Sequence, residues 1–143
     1  MKRFSFRLQR VLEIKQKQRD IERQNLARKA SEYNIEVAKA NKLKDEKRNA
    51  IEDMKKNPSL ENRQFVERYI ILNERMQKYQ SEDVRRKEVP FREAMSKYLK
   101  KDSEVKVIQK LKDKAYDDYS KGLMKEEYSE VDEIISRRLG KDE

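Results

Sequence analysis

From Phe4 to about Lys56 the apolar positions recur at threes and fours. Phe4, Leu8, Val11 or Leu12 and Ile14 open a stripe, Ile21 continues it, and Leu26, Ala30, Tyr33, Val37 and Ala40 come next at coiled-coil spacing. Lys44 and Lys47 interrupt before Ile51 and Met54 resume the pattern. A second stripe runs Leu60, Phe65, Tyr69, Leu72, Met76 and Tyr79. Each stripe predicts a long helix with one apolar face. Between them stands Asn57-Pro58-Ser59. The residue before proline is disfavoured in helical conformation, and Ser59 can cap the second helix, so this tripeptide reads as a turn.

Folding about Pro58 sets Ile51 against Phe65, Ala40 against Met76, Val37 against Tyr79, Ile21 against Met95, Val11 against Val105 and Leu8 against Ile108. Apolar meets apolar, which favours a hairpin over a bundle of shorter helices. The predicted fold is all-α: a long antiparallel two-helix coiled-coil hairpin forming one domain over 1–143. Arm one spans 4–56, the turn 57–59 and arm two 60–139. Ile21 and Leu26 are five apart, so the apolar residues of arm one fit no single heptad register, and a slip is expected there. Pro90 lies inside arm two, and a bend or short break is expected near it.

Past about Leu111 the second arm outruns the first. Its stripe continues through Ala115, Tyr119, Leu123, Met124, Tyr128, Val131, Ile135 and Leu139, then meets Arg137, Arg138 and Gly140, a helix-stop signal. About 25 residues, roughly 40 Å of helix, would project with an apolar face that the first arm cannot reach. Such a face suits a second protein. At the turn half, Ile35, Leu43, Val66 and Ile70 exceed what the expected seam consumes, which suggests an exposed apolar patch.

Composition supports an extended helical protein. Of 143 residues, 35% are hydrophobic and 45% charged, too few apolar groups for a compact core but enough for a two-stranded seam. Only two glycines and two prolines interrupt the helix formers. There is no cysteine, which excludes thiolate chemistry and suits a reducing compartment, and no histidine, which removes the usual general base and metal ligand. No Gly-rich phosphate loop, nucleophile elbow or metal-ligand cluster occurs. Asp117-Asp118 and Glu126-Glu127 are neighbours that point apart on a helix and read as solvated charge. The expectation is a protein without catalytic residues, cofactor or metal. No apolar run reaches the roughly 20 residues of a membrane span, so a soluble protein is expected, with any membrane association borrowed from a partner.

Charge is uneven. Residues 1–56 hold 17 Lys and Arg against 9 Asp and Glu, a net of +8 out of the chain's +9. An acidic protein partner or nucleic acid would each suit that excess. Glu13, Asp20, Glu22 and Glu32 interrupt the cationic run, which weighs against nucleic acid. A basic helical nucleic-acid-binding protein and a generic coiled-coil scaffold or chaperone remain the alternatives.

The run Phe4-Ser5-Phe6-Arg7-Leu8-Gln9-Arg10-Val11-Leu12 resembles the opening F-x-F-x-L-x-x-V-L of the flagellar export protein FliJ family. Size, basic charge and two-arm layout agree along the whole chain. The resemblance implies a non-enzymatic component of the flagellar type III export apparatus, similar to the central stalk of rotary ATPases. It also implies three kinds of partner: the export ATPase ring, the export-gate membrane protein and export chaperones. The implied location is cytoplasmic, at the inner-membrane face through those partners. On this reading Arg3, Phe4, Phe6, Arg7, Leu8 and Arg10, with Tyr119, Leu123, Met124, Tyr128, Val131 and Ile135, would meet the ATPase. Ile35, Leu43, Val66 and Ile70 would meet the gate.

Overall fold

A computed structural model describes residues 2–141. Two long helices pack against each other as an all-α hairpin, with no strand among the described residues. Helix α1 is Gln9–Lys56 and helix α2 is Leu60–Lys141. The turn is built as its residue types suggest. Ser59 Oγ accepts the Asn62 amide at 3.3 Å, an N-cap bond, while Asn62 Nδ2 donates to the Asn57 carbonyl at 2.7 Å. Asn57 N closes the last turn of α1 on the Asp53 carbonyl at 3.1 Å.

Two helix boundaries and one interior position bear on the sequence expectation. Helix α1 starts at Gln9, so residues 4–8 of arm one are not helical, and Gln9 N bonds the Phe6 carbonyl instead. Helix α2 is unbroken through Pro90, which removes one backbone donor without ending the helix. It also runs through Gly140 to Lys141, because the glycine does not take the positive φ of a helix stop.

The packing divides into two compact units, Met1–Asp20 with Lys100–Glu143, and Ile21–Leu99. In the second of these, the covered positions on α2 are Val66, Ile70, Asn73, Gln77, Gln80, Val84, Lys87, Phe91, Ala94 and Tyr98, an uninterrupted heptad spacing. On α1 they include Leu26, Lys29, Tyr33, Glu36, Ala40, Leu43, Lys47, Ala50 and Met54. The expected slip between Ile21 and Leu26 is therefore absent. Glu22 keeps the register where an apolar residue was sought, and Ile21 stands exposed.

The seam in this unit carries a polar cluster among its apolar positions, and the groups of that cluster are paired. Asn73, 3% exposed, donates from Nδ2 to the Leu43 carbonyl at 2.9 Å and accepts Gln77 Nε2 at 2.6 Å. Gln80 Nε2 reaches the Glu36 carbonyl at 2.9 Å and its carboxylate at 2.6 Å. Tyr33 stacks on Phe91 with centroids 5.2 Å apart, and the Arg23 guanidinium lies 5.9 Å from the Tyr98 ring centroid.

The expected pairings of Ile51 with Phe65, Ala40 with Met76 and Val37 with Tyr79 are thus one residue out of phase on α2. Phe65 is 70% exposed, and Leu72, Met76 and Tyr79 are exposed beside it. In the other unit the difference lies on α1, where Leu12, 1% exposed, takes the place expected for Val11, while Val105 on α2 is buried as expected. There Leu12 and Val105 are buried and Ile108 half-buried, while Lys15 pairs with Glu104 at 3.1 Å and Lys101 donates to Gln18 at 3.4 Å.

Candidate protein-interaction surfaces

Among the described residues, two exposed apolar stripes stand out as candidates. The first lies in the unit formed by Met1–Asp20 and Lys100–Glu143. Its non-helical lead-in folds onto α2, where Phe4 meets the Tyr116 ring edge-on at 5.2 Å and the Tyr119 ring at 5.4 Å. The Tyr119 hydroxyl donates to the Lys2 carbonyl. Lys2, Tyr119, Gly122 and Leu123 line one shallow groove. The first arm therefore reaches farther along α2 than Leu111. Every residue from 124 to 140 is exposed. Met124, Tyr128, Val131, Ile135 and Leu139 keep an apolar stripe at threes and fours with nothing over it.

The twelve residues expected at the ATPase therefore fall into two groups. Phe4, Phe6, Leu8, Tyr119 and Leu123 are half-buried and tied into the hairpin, with Phe4 and Tyr119 in contact. Arg3, Arg7, Arg10, Met124, Tyr128, Val131 and Ile135 are exposed.

The second surface lies in the unit Ile21–Leu99. Of the four residues expected to form a surplus patch there, only Ile35 is exposed. Val66 is 5% exposed, and Leu43 and Ile70 are half-buried on the contact face, so these three are seam residues. The exposed apolar stripe is instead Phe65, Leu72, Met76 and Tyr79, with half-buried Tyr69 on its inner edge and Ile71 nearby. Phe65 and Tyr69 line a groove whose α1 wall is Glu46, Asn49, Ala50 and Asp53. Arg68, Arg75 and Lys78 are exposed along the same stretch, whereas Glu74 is held by Lys47 at 3.0 Å. A signal for this arrangement was present in the sequence. Counting back by sevens from Phe91 and Ala94 reaches Ile70, Val66 and Asn73, not Phe65 or Leu72.

Two carboxylates in the interhelical contacts are electrostatically distinct. Gln80 and then Lys39 and Lys87 hold Glu36 below its ordinary value, and Lys15 with Lys101 and Lys100 does the same for Glu104, in each case against a smaller desolvation effect. Both belong to interhelical pairing. No group of three or more Asp and Glu that could hold a metal ion occurs among the described residues, and no helix there is long and apolar enough to cross a membrane.

The profile of the family described as "Flagellar FliJ protein" matches residues 4–143. The chain belongs to the FliJ family. Membership supports a component of the flagellar export apparatus. No curated protein and no solved structure matches this FliJ-family chain. The matched span includes both exposed stripes.

Proposed function

We propose that this chain is the non-enzymatic central-stalk component of the flagellar type III export apparatus, joining the export ATPase ring to the export gate. The observation that carries the reading is the apolar stripe on residues 124–140, which remains exposed after every intramolecular contact has formed. Apolar burial contributes about 25 cal/mol per Å² before ordering costs, so several such side chains entering a ring support a specific complex. Arg3, Arg7 and Arg10 are exposed in the same unit and would act on the association rate more than on final affinity. The stalk performs no hydrolysis. It biases ring assembly or subunit conformation, so any stimulation belongs to the ATPase.

The gate contact is assigned to the exposed stripe Phe65, Leu72, Met76 and Tyr79 with Ile35. The argument from surplus apolar surface passes to these residues once Leu43, Val66 and Ile70 prove to be seam. Export chaperones, as short-lived passengers, would share these surfaces. The protein acts at the cytoplasmic face of the inner membrane, held there by its partners.

Truncation after Lys125 tests the ATPase assignment, because it spares the Phe4, Tyr116 and Tyr119 cluster. The shortened hairpin should keep its melting behaviour and lose ATPase binding and stimulation. Full stimulation by the truncated chain would move the contact elsewhere. Phe65→Gln with Leu72→Gln should weaken gate binding tenfold or more while ATPase stimulation is unchanged.

A further inference from the structure

The turn half of α2 carries two parallel stripes, each at heptad spacing and one residue apart. Val66, Ile70, Asn73, Gln77 and Gln80 face α1, whereas Phe65, Tyr69, Leu72, Met76 and Tyr79 precede them one by one. The inward stripe is the more polar, and four of the five residues in the outward stripe are exposed. Beyond residue 80 the assignment reverses. There the inward positions are Val84, Lys87, Phe91, Ala94 and Tyr98, apolar but for Lys87, and those preceding them are Asp83, Arg86, Pro90, Glu93 and Lys97. The apolar phase of α2 thus shifts by one residue between about 80 and 84, close to its one interior proline.

We infer that the segment 60–80 of α2 is a two-state element, able to turn about its own axis by one residue's worth, roughly 100°. In the described arrangement the inward polar stripe is held by Asn73 to the Leu43 carbonyl and by Gln80 to Glu36. In the alternative, Phe65, Leu72, Met76 and Tyr79 turn inward against the same α1 residues, Val66 and Ile70 turn outward, and Asn73, Gln77 and Gln80 go to water, where their hydrogen bonds are made by solvent. Burying the apolar stripe would offset the exposure of Val66 and Ile70 and the loss of the polar contacts, which is the balance that the two-state inference requires.

The twist can be absorbed at the non-helical turn 57–59 on one side and, beyond the other end of the segment, over residues 81–89, where Pro90 leaves the Arg86 carbonyl without its helical donor. The stacked pair Tyr33 and Phe91, with Arg23 on Tyr98, anchors the part that stays. The element is a switch that offers or withdraws an apolar face. The inference concerns the free chain and stands whether or not that face meets the export gate.

Because the chain has no native cysteine, paired cysteines report the arrangement directly. The pair Ala40→Cys with Gln77→Cys reads the described state, since both residues line one groove. Leu43→Cys with Leu72→Cys reads the alternative, and Leu43→Cys with Ile71→Cys, whose second residue faces outward in both, gives the background. A state populated at 0.1–10% closes its disulfide about ten- to a thousandfold more slowly than the major one. The Leu72 pair should close above background within that range.

Asn73→Leu with Gln80→Leu, which fills the inward stripe with apolar groups, should slow that closure a further tenfold and leave the Gln77 pair unchanged. Phe65→Gln with Met76→Gln, at two exposed positions, should slow it likewise. A Leu72 pair that closes no faster than the Ile71 pair, or that ignores both double variants, overturns the inference.

Discussion

Asn73 occupies a seam position where a coiled coil ordinarily holds an aliphatic side chain, and its two polar atoms are both used. Asn73→Ala should cost about 1–3 kcal/mol, because Gln77 loses its partner inside the interface. Chemical denaturation of the variant checks this against Leu12→Ala, for which the loss of a buried aliphatic group costs about 2–5 kcal/mol. Glu36 and Glu104 make a separate prediction. Each carboxyl is held below its ordinary value in the folded chain by Gln80 and by Lys15 respectively, so each favours the fold above the unfolded carboxylate pKa. That contribution is lost as pH falls through the lower folded value. Thermal midpoints should therefore fall on acidification below about pH 4.5, and Glu36→Gln with Glu104→Gln should flatten the fall.

At the scale of the element, the helices themselves were legible in the sequence while their rotation was not. Period, turn chemistry and the scarcity of glycine fixed two helices around Asn57-Pro58-Ser59. The facing side of α2 was misjudged because apolar periodicity was taken as the seam, and Phe65, Tyr69, Leu72 and Met76 form the stronger stripe. A seam that uses Asn73, Gln77 and Gln80 is invisible to a hydrophobicity count, since its polar groups are satisfied by backbone and side chains across the interface. The surplus apolar patch was misplaced for the same reason, as Val66 and Ile70 were counted as surplus. A bend or short break was expected near Pro90, and the helix is continuous through it. Pro90→Ala restores the donor to the Arg86 carbonyl and should stabilise the hairpin by up to about 3 kcal/mol. Denaturant midpoints measure the gain, and the closing rate of the Leu43 and Leu72 cysteine pair should fall with it.

At the scale of the whole molecule, the candidate ATPase surface was half legible. The exposed stripe from Met124 to Ile135 comes directly from the period, because no first-arm residue can reach it. What the sequence did not disclose is that Phe4 is already occupied by Tyr116 and Tyr119. An irregular lead-in has no period from which to read its contacts. Phe4→Ala should therefore loosen residues 2–8 and raise their amide exchange. The exchange of residues 21–99 should stay unchanged.

The contact between Tyr119 and Lys2 closes across 117 positions of sequence, whereas Asn73 and Leu43 are 30 apart and Gln80 and Glu36 are 44 apart. Pairing can therefore zip outward from the turn, each step closing only a slightly larger loop than the one before. During synthesis, residues 21–99 possess all their mutual partners well before Tyr119 exists. Phe4, made early, waits for a ring made more than a hundred residues later. The order of synthesis thus favours pairing of the turn half first, with the aromatic clasp expected to close after it. An arrest of translation between Leu99 and Tyr116 would leave a nascent chain with a finished turn half and an unsheltered pair of phenylalanines, Phe4 and Phe6, for a cellular holdase to find.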